Sequence, residues 1–233
     1  MTRLRFFAGG GQPPQSHEVL LVEPDGTGVY LTGMAWPEQP PFDEIGVYRV
    51  APGADGHARL ADLARAVVAE PAADAGHADA GGESVRVDGE EASWSPRERG
   101  PAAEAFVAAA RAAIASARAR PLAVARAEVG EAGLALRNRG ERPLPVAQGE
   151  VRAGRGPADH APSPLRLARA GPAAAEMPAA LAPGAAVALP LPEPAPVTDD
   201  DFPAAYVLVH LRWRPEVPGE GDELDGWMIA GPV

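Results

Sequence analysis

Cysteine and lysine are both missing from these 233 residues, and all 21 basic side chains are arginine. Without a thiol there is no cysteine nucleophile, disulfide, iron–sulfur cluster or cysteine-based zinc site. Without an ε-amine there is no Schiff base, P-loop lysine or lysine general base. Aromatics are sparse: five Phe, four Trp and three Tyr supply the large core pieces. Much of the 46% hydrophobic fraction is alanine, which buries little area per residue. No run of about 18 apolar residues occurs, so no transmembrane helix is expected. The opening Met1-Thr-Arg-Leu-Arg-Phe-Phe lacks an apolar stretch of secretory length. The expected setting is the cytoplasm of a bacterial-type cell, away from membranes.

What is abundant is equally informative. The chain carries 26 Gly, 27 Pro and a net charge of −11. Nucleic-acid binders need a basic face for phosphate contacts, so nucleic acid is not a favoured partner.

The first half reads as mixed α and β. Leu4, Phe6 and Ala8 alternate along one strand, and Gly9 to Pro14 ends it. Asp25-Gly26 lies between two β-prone runs and predicts a hairpin, as does Asp88-Gly89. A further strand is expected over Ile45 to Val50. Leu60, Leu63, Ala64, Val67 and Val68 have helical spacing, with Asp55 as the expected cap and Pro71 as the stop. A second helix is expected from Pro101 to Ala119, since proline suits a first helical turn. Residues 71–82 are rich in Ala, Gly and Asp, the composition of a loop. The fold expected for residues 1–120 is therefore an α+β domain, an antiparallel sheet with two helices.

From Pro121 the pattern changes to short strands between turn signals. Candidates are Leu122–Val129, Gly133–Arg137, Leu144–Ala153, Leu165–Ala168, Val187–Leu191, Ala205–Arg214 and Trp227–Ala230. Seven short strands predict an all-β sandwich over residues 121–233. In the clearest strand, Val207, Val209, Leu211 and Trp213 share one face. Tyr206, Leu208, His210, Arg212 and Arg214 share the other, whose lower half is polar.

Two motifs here carry a resemblance. Leu134-Ala-Leu-Arg-Asn-Arg-Gly-Glu-Arg-Pro-Leu-Pro-Val146 resembles the strand–turn–strand of bacterial Ig-like modules, where an apolar strand ends in Asn-x-Gly. Ala182-Pro-Gly-Ala-Ala-Val-Ala-Leu-Pro-Leu191 is similar to a later strand of such modules. The resemblance covers at most residues 121–233 and implies an Ig-like sandwich with a binding or spacer role. No family resemblance covers residues 1–120.

Site chemistry is thin. His17, His57, His77, His160 and His210 show no metal-ligand spacing. Asp199-Asp200-Asp201 and the later Glu216, Glu220, Asp222, Glu223 and Asp225 match no EF-hand loop and read as a solvated acidic rim. No serine lies in G-x-S-x-G, and no G-x-G-x-x-G opens a helix. No catalytic, cofactor or metal residue is assigned. Residues 121–170 carry eight Arg against five acids, and residues 171–233 carry two Arg against ten. Mutual neutralisation of these segments is one reading. The sharper reading makes Arg137, Arg139, Arg142, Arg152 and Arg155 a patch for an acidic partner, with Trp36 and Trp227 as anchors. Loops 71–82 and 152–184 suggest cleavage at Arg155, Arg166 or Arg169.

The expected function is a non-catalytic adaptor, inhibitor or assembly component that binds another protein and needs no cofactor. The alternatives are a regulatory protein switched by cleavage and a hydrolase with a dispersed carboxylate site. The sequence leaves the partner's identity and the oligomeric state open.

Overall fold

The computed structural model describes residues 3–10, 16–34, 43–70, 82–156, 166–167, 173–193, 204–217, 219 and 223–230. Its elements are β1 (Leu4–Gly10), β2 (Ser16–Val22), β3 (Gly28–Met34), β4 (Glu44–Val50), α1 (Gly53–Ala69), β5 (Gly82–Val87), β6 (Glu90–Trp94) and α2 (Pro101–Ala117). There follow β7 (Pro121–Gly130), β8 (Gly133–Asn138), β9 (Leu144–Gly156), β10 (Arg166–Leu167), β11 (Ala173–Ala175), β12 (Ala180–Leu181), β13 (Ala186–Leu189), β14 (Ala204–Trp213) and β15 (Leu224–Ala230).

The strands hydrogen-bond into a nine-stranded antiparallel sheet in the order β13-β8-β7-β4-β3-β2-β1-β5-β6. A second sheet runs β10-β9-β14-β15, with β11 and β12 also pairing β9. This corrects the expected α+β domain followed by a separate Ig-like sandwich. The protein is mostly β, with two helices among the described residues. Strands β7, β8 and β13, expected in the sandwich, belong to the sheet that also holds β1 to β6. Period-two alternation marks a strand and its buried face. It carries no information about which edge completes the ladder, and here the Ala127 N–H donates to the Asp43 carbonyl just before β4 at 2.9 Å.

Two compact units are present. Unit 1 comprises Met1–Thr32 and Val47–Pro121; unit 2 comprises Gly33–Gly46 and Leu122–Val233. In unit 1, α1 buries Leu60, Ala64 and Val67 of the expected stripe together with Ala61, while the expected Leu63 and Val68 are only half-buried; α2 buries Phe106, Val107, Ala110 and Ile114. Phe106 meets Phe6 edge-on at 5.5 Å and Trp94 at 6.5 Å. Helix α1 begins at Gly53 after Pro52, without a side-chain cap, and Asp55 lies inside its first turn rather than capping it. The cap of α2 comes from a distance, where Glu70 Oε1 accepts the Ala102 N–H at 3.1 Å. At the β2–β3 hairpin Gly26 has a φ of 80°. A Cβ there would lie 2.0 Å from the Gly53 carbonyl carbon, so only glycine fits.

In unit 2, Val207, Val209, Leu211 and Trp213 are buried together with Val151, Ala153, Met228 and Ala230. Asn138, wholly buried, ends β8. Its amide donates to the Arg142 and Leu181 carbonyls at 2.8 Å each, and its oxygen accepts the Gly140 N–H at 2.8 Å. Among the described residues no helix is long and apolar enough to cross a membrane.

Candidate functional site

The strand pattern of β14 builds one candidate face. Its core side faces inward, so Tyr206, Leu208, His210 and Arg212 emerge on the opposite side. Pairing with β15 sets His210 opposite Trp227 and Arg212 opposite Asp225. Pairing with β9 sets Leu208 opposite Arg152 and His210 opposite Glu150. Tyr206, Leu208 and Ile229 form a buried apolar cluster, against which Ala204 and Trp227 pack.

Below that cluster the face is polar. The His210 and Trp227 rings stack with centroids 4.4 Å apart and planes 24° apart. The Arg152 guanidinium lies 5.9 Å from the Trp227 ring, within cation–π range. His210 Nε2 is 2.9 Å from Asp225 Oδ1, with His210 15% and Asp225 60% exposed. Arg152 pairs with Glu150 at 3.5 Å, Arg212 with Asp225 at 3.7 Å, and Arg214 with Glu223 at 3.3 Å. The charges on this face are therefore largely answered locally.

A His–Asp pair can serve catalysis when a hydroxyl stands at the other ring nitrogen. The sequence of unit 2 holds one serine, Ser163, and one threonine, Thr198, both outside the described residues. Among the described residues no group of three acidic or histidine side chains could hold a metal ion. What the face can offer is a stacked aromatic and hydrogen-bonding contact surface.

The structure divides the expected anchors. Arg152 and Trp227 come together. Arg137 sits on β8, bonded to Glu128 at 3.3 Å and to the Gly184 carbonyl at 3.2 Å. Arg139 is tied to Glu44. Arg142 is exposed in the turn that follows β8. Arg155 pairs across from Ala205, so it emerges on the other side of β9 from Arg152. The five arginines do not make one patch. Among the described residues, the ion pairs of Arg126, Arg137, Arg139 and Arg152 go to Asp43, Glu44, Glu128 and Glu150. Of the expected cleavage points, Arg155 and Arg166 face each other across β9 and β10. Arg169, Trp36, His77, His160, Asp199 to Asp201, Glu220, Asp222 and residues 71–81, 157–165 and 168–172 lie outside the described residues. The described part of the expected 152–184 loop instead holds the end of β9 and strands β10, β11 and β12.

No family model, curated protein or solved structure matches the chain.

Unit 1 holds a buried polar cluster that the sequence reading did not single out. Glu18 accepts from the Tyr30 hydroxyl and from Arg111 Nη1 at 2.5 Å. Arg118 lies 5.8 Å from the Tyr30 ring. Burial, reinforced by the Glu18 charge, pushes the Tyr30 phenol well above its ordinary range, so it stays protonated and donates. The available signal was helical spacing: Arg111 and Ile114 on α2 and Arg118 at its C-cap fall on one stripe. A second buried carboxylate, Glu83, accepts from Trp94 Nε1 and from Arg99 Nε and Nη2, each at 2.7 Å. Both clusters tie elements of unit 1 together.

Proposed function

We propose that this chain is a non-catalytic protein-interaction protein, an adaptor, inhibitor or assembly component, which receives its partner on the Trp227 face. One observation carries the reading: Trp227, partly exposed, has His210 stacked on it and Arg152 within cation–π range. Tryptophan and arginine are the side chains most enriched where binding energy concentrates. Stacking fixes both in place, so little side-chain entropy remains to be lost on association. The surrounding ion pairs supply orientation more than affinity. The cytoplasmic setting expected from the sequence is kept in this proposal, and fractionation of the native host checks it.

Quantitative affinity capture from that host tests the reading. Trp227→Ala and Arg152→Glu are each expected to lower recovery of the bound partner at least tenfold. The Arg152 side chain is about one-third exposed, and circular dichroism melts of both variants separate lost binding from lost folding. Unchanged recovery with both variants would overturn the proposal. So would reproducible, cofactor-free turnover by the purified chain.

A further inference from the structure

Leu191 is the one large hydrophobic side chain left exposed among the described residues, at 49%. It follows β13, the edge strand of the nine-stranded sheet. The strand ends in buried Leu189. Beyond it Pro190, Leu191 and Glu193 are exposed and Pro192 is half-buried. The sequence places proline at 190, 192, 194 and 196.

That alternation dictates a backbone. Each proline fixes its own φ near −65°. Each residue before a proline is pushed out of the helical region into extended conformations. Leu191 and Glu193 both stand before a proline. A helix is excluded, and a β-ladder lacks every second donor. An extended, polyproline-type backbone remains. Leu191 adds one half-exposed apolar side chain to that backbone. Leu191 is where a ligand-like anchor would sit. The only charged residues from 190 to 203 are Glu193, Asp199, Asp200 and Asp201.

We infer that Pro190–Glu193 is a recognition segment for a partner protein whose aromatic-lined groove reads polyproline-type backbone and whose rim is basic. Such grooves use a preformed extended ligand that loses little entropy on docking. Leu191 fills the groove and the Glu193 carboxylate meets the basic rim. The segment follows β13 and Trp227 lies on β15, strands of different sheets, and the inference stands without the Trp227 reading.

Calorimetric titration of the full-length chain tests it. The probes are purified polyproline-reading domains of the SH3 and WW type, some with basic and some with acidic groove rims. A basic-rimmed domain is expected to bind. Leu191→Ala should weaken that binding at least tenfold. Pro192→Ala, which only loosens the backbone, should weaken it measurably. Glu193→Gln should flatten its salt dependence, and none of the three should move the unfolding temperature. Binding by no domain in the panel would overturn the inference. So would equal binding of Leu191→Ala, or self-association of the chain that Leu191→Ala abolishes.

Discussion

Replacing Asn138 by alanine removes one side chain that serves four backbone groups, three of them at close range. The carbonyls of Arg142 and Leu181 each receive a 2.8 Å bond from its amide, and the Gly140 N–H gives a 2.8 Å bond to its oxygen. The Val124 N–H reaches the same oxygen at a looser 3.4 Å. The side chain is wholly buried, so water does not readily replace it. At about 1 kcal/mol for each well-formed bond, Asn138→Ala should cost on the order of 3 kcal/mol. For a chain of this size that corresponds to a fall of roughly 6–12 °C in unfolding temperature. Asn138→Asp keeps the acceptor but sets a carboxyl against two carbonyl oxygens. Burial and those oxygens raise its folded pKa above the unfolded value. A raised carboxyl favours the protonated folded state. Asn138→Asp should therefore come closest to the parent at low pH and fall away as pH rises through the unfolded and then the folded value. Urea unfolding followed by circular dichroism at pH 4 and pH 7 measures both effects. A loss below about 1 kcal/mol for Asn138→Ala would refute the argument. So would Asn138→Asp gaining on the parent as pH rises.

Gly26→Ala and Gly89→Ala separate steric overlap from backbone strain. Both positions have positive φ, but a Cβ at Gly26 overlaps the Gly53 backbone and one at Gly89 meets nothing within 4 Å. Gly89→Ala should cost roughly 1 kcal/mol, near the low end for backbone strain alone. Gly26→Ala should cost at least about 2 kcal/mol more, because overpacking adds to strain; equal unfolding midpoints would refute this. A double-mutant cycle on Glu83→Ala and Arg99→Ala should give a favourable coupling, because Glu83 is only 3% exposed and accepts from Arg99 Nε and Nη2. Additive losses would remove that pair from the account. Asp25 is held below its ordinary value, first by the Thr27 hydroxyl and then by the Thr27 N–H. Its contribution is present at neutral pH and disappears as pH falls through the lowered value. Thr27→Val should raise the Asp25 midpoint in a carboxyl NMR titration, and an unmoved midpoint would count against the hydroxyl.

Local chemistry carried much of the secondary structure. Pro101 opens α2, Asp25-Gly26 and Asp88-Gly89 turn the hairpins, and strict alternation marks Tyr206 to Arg214 as a strand. Each of these signals acts within a few residues, through φ limits or side-chain period. The start of α1 shows where such signals fail. Asp55 has the right chemistry for a cap, yet the helix begins two residues earlier, where Gly26 and Gly53 come close.

Trp227 could be picked out from sequence as an anchor, but its neighbours could not. Arg152 and Trp227 are 75 positions apart, and register across β9, β14 and β15 alone brings them together. The same holds for Glu18 with Arg111, which are 93 positions apart.

By itself the sequence determined that thiol and amine side-chain chemistry is closed to this protein, and where both helices and many of the strands lie. Composition is a property of the chain, and turn and period signals are local. Only the tertiary structure decided that β7, β8 and β13 extend the sheet of β1 to β6, and which arginines meet which carboxylates. Ladder pairing is made by backbone groups that every residue but proline possesses. The choice among open edges therefore rests on the packing of the whole chain, and short motifs do not record it.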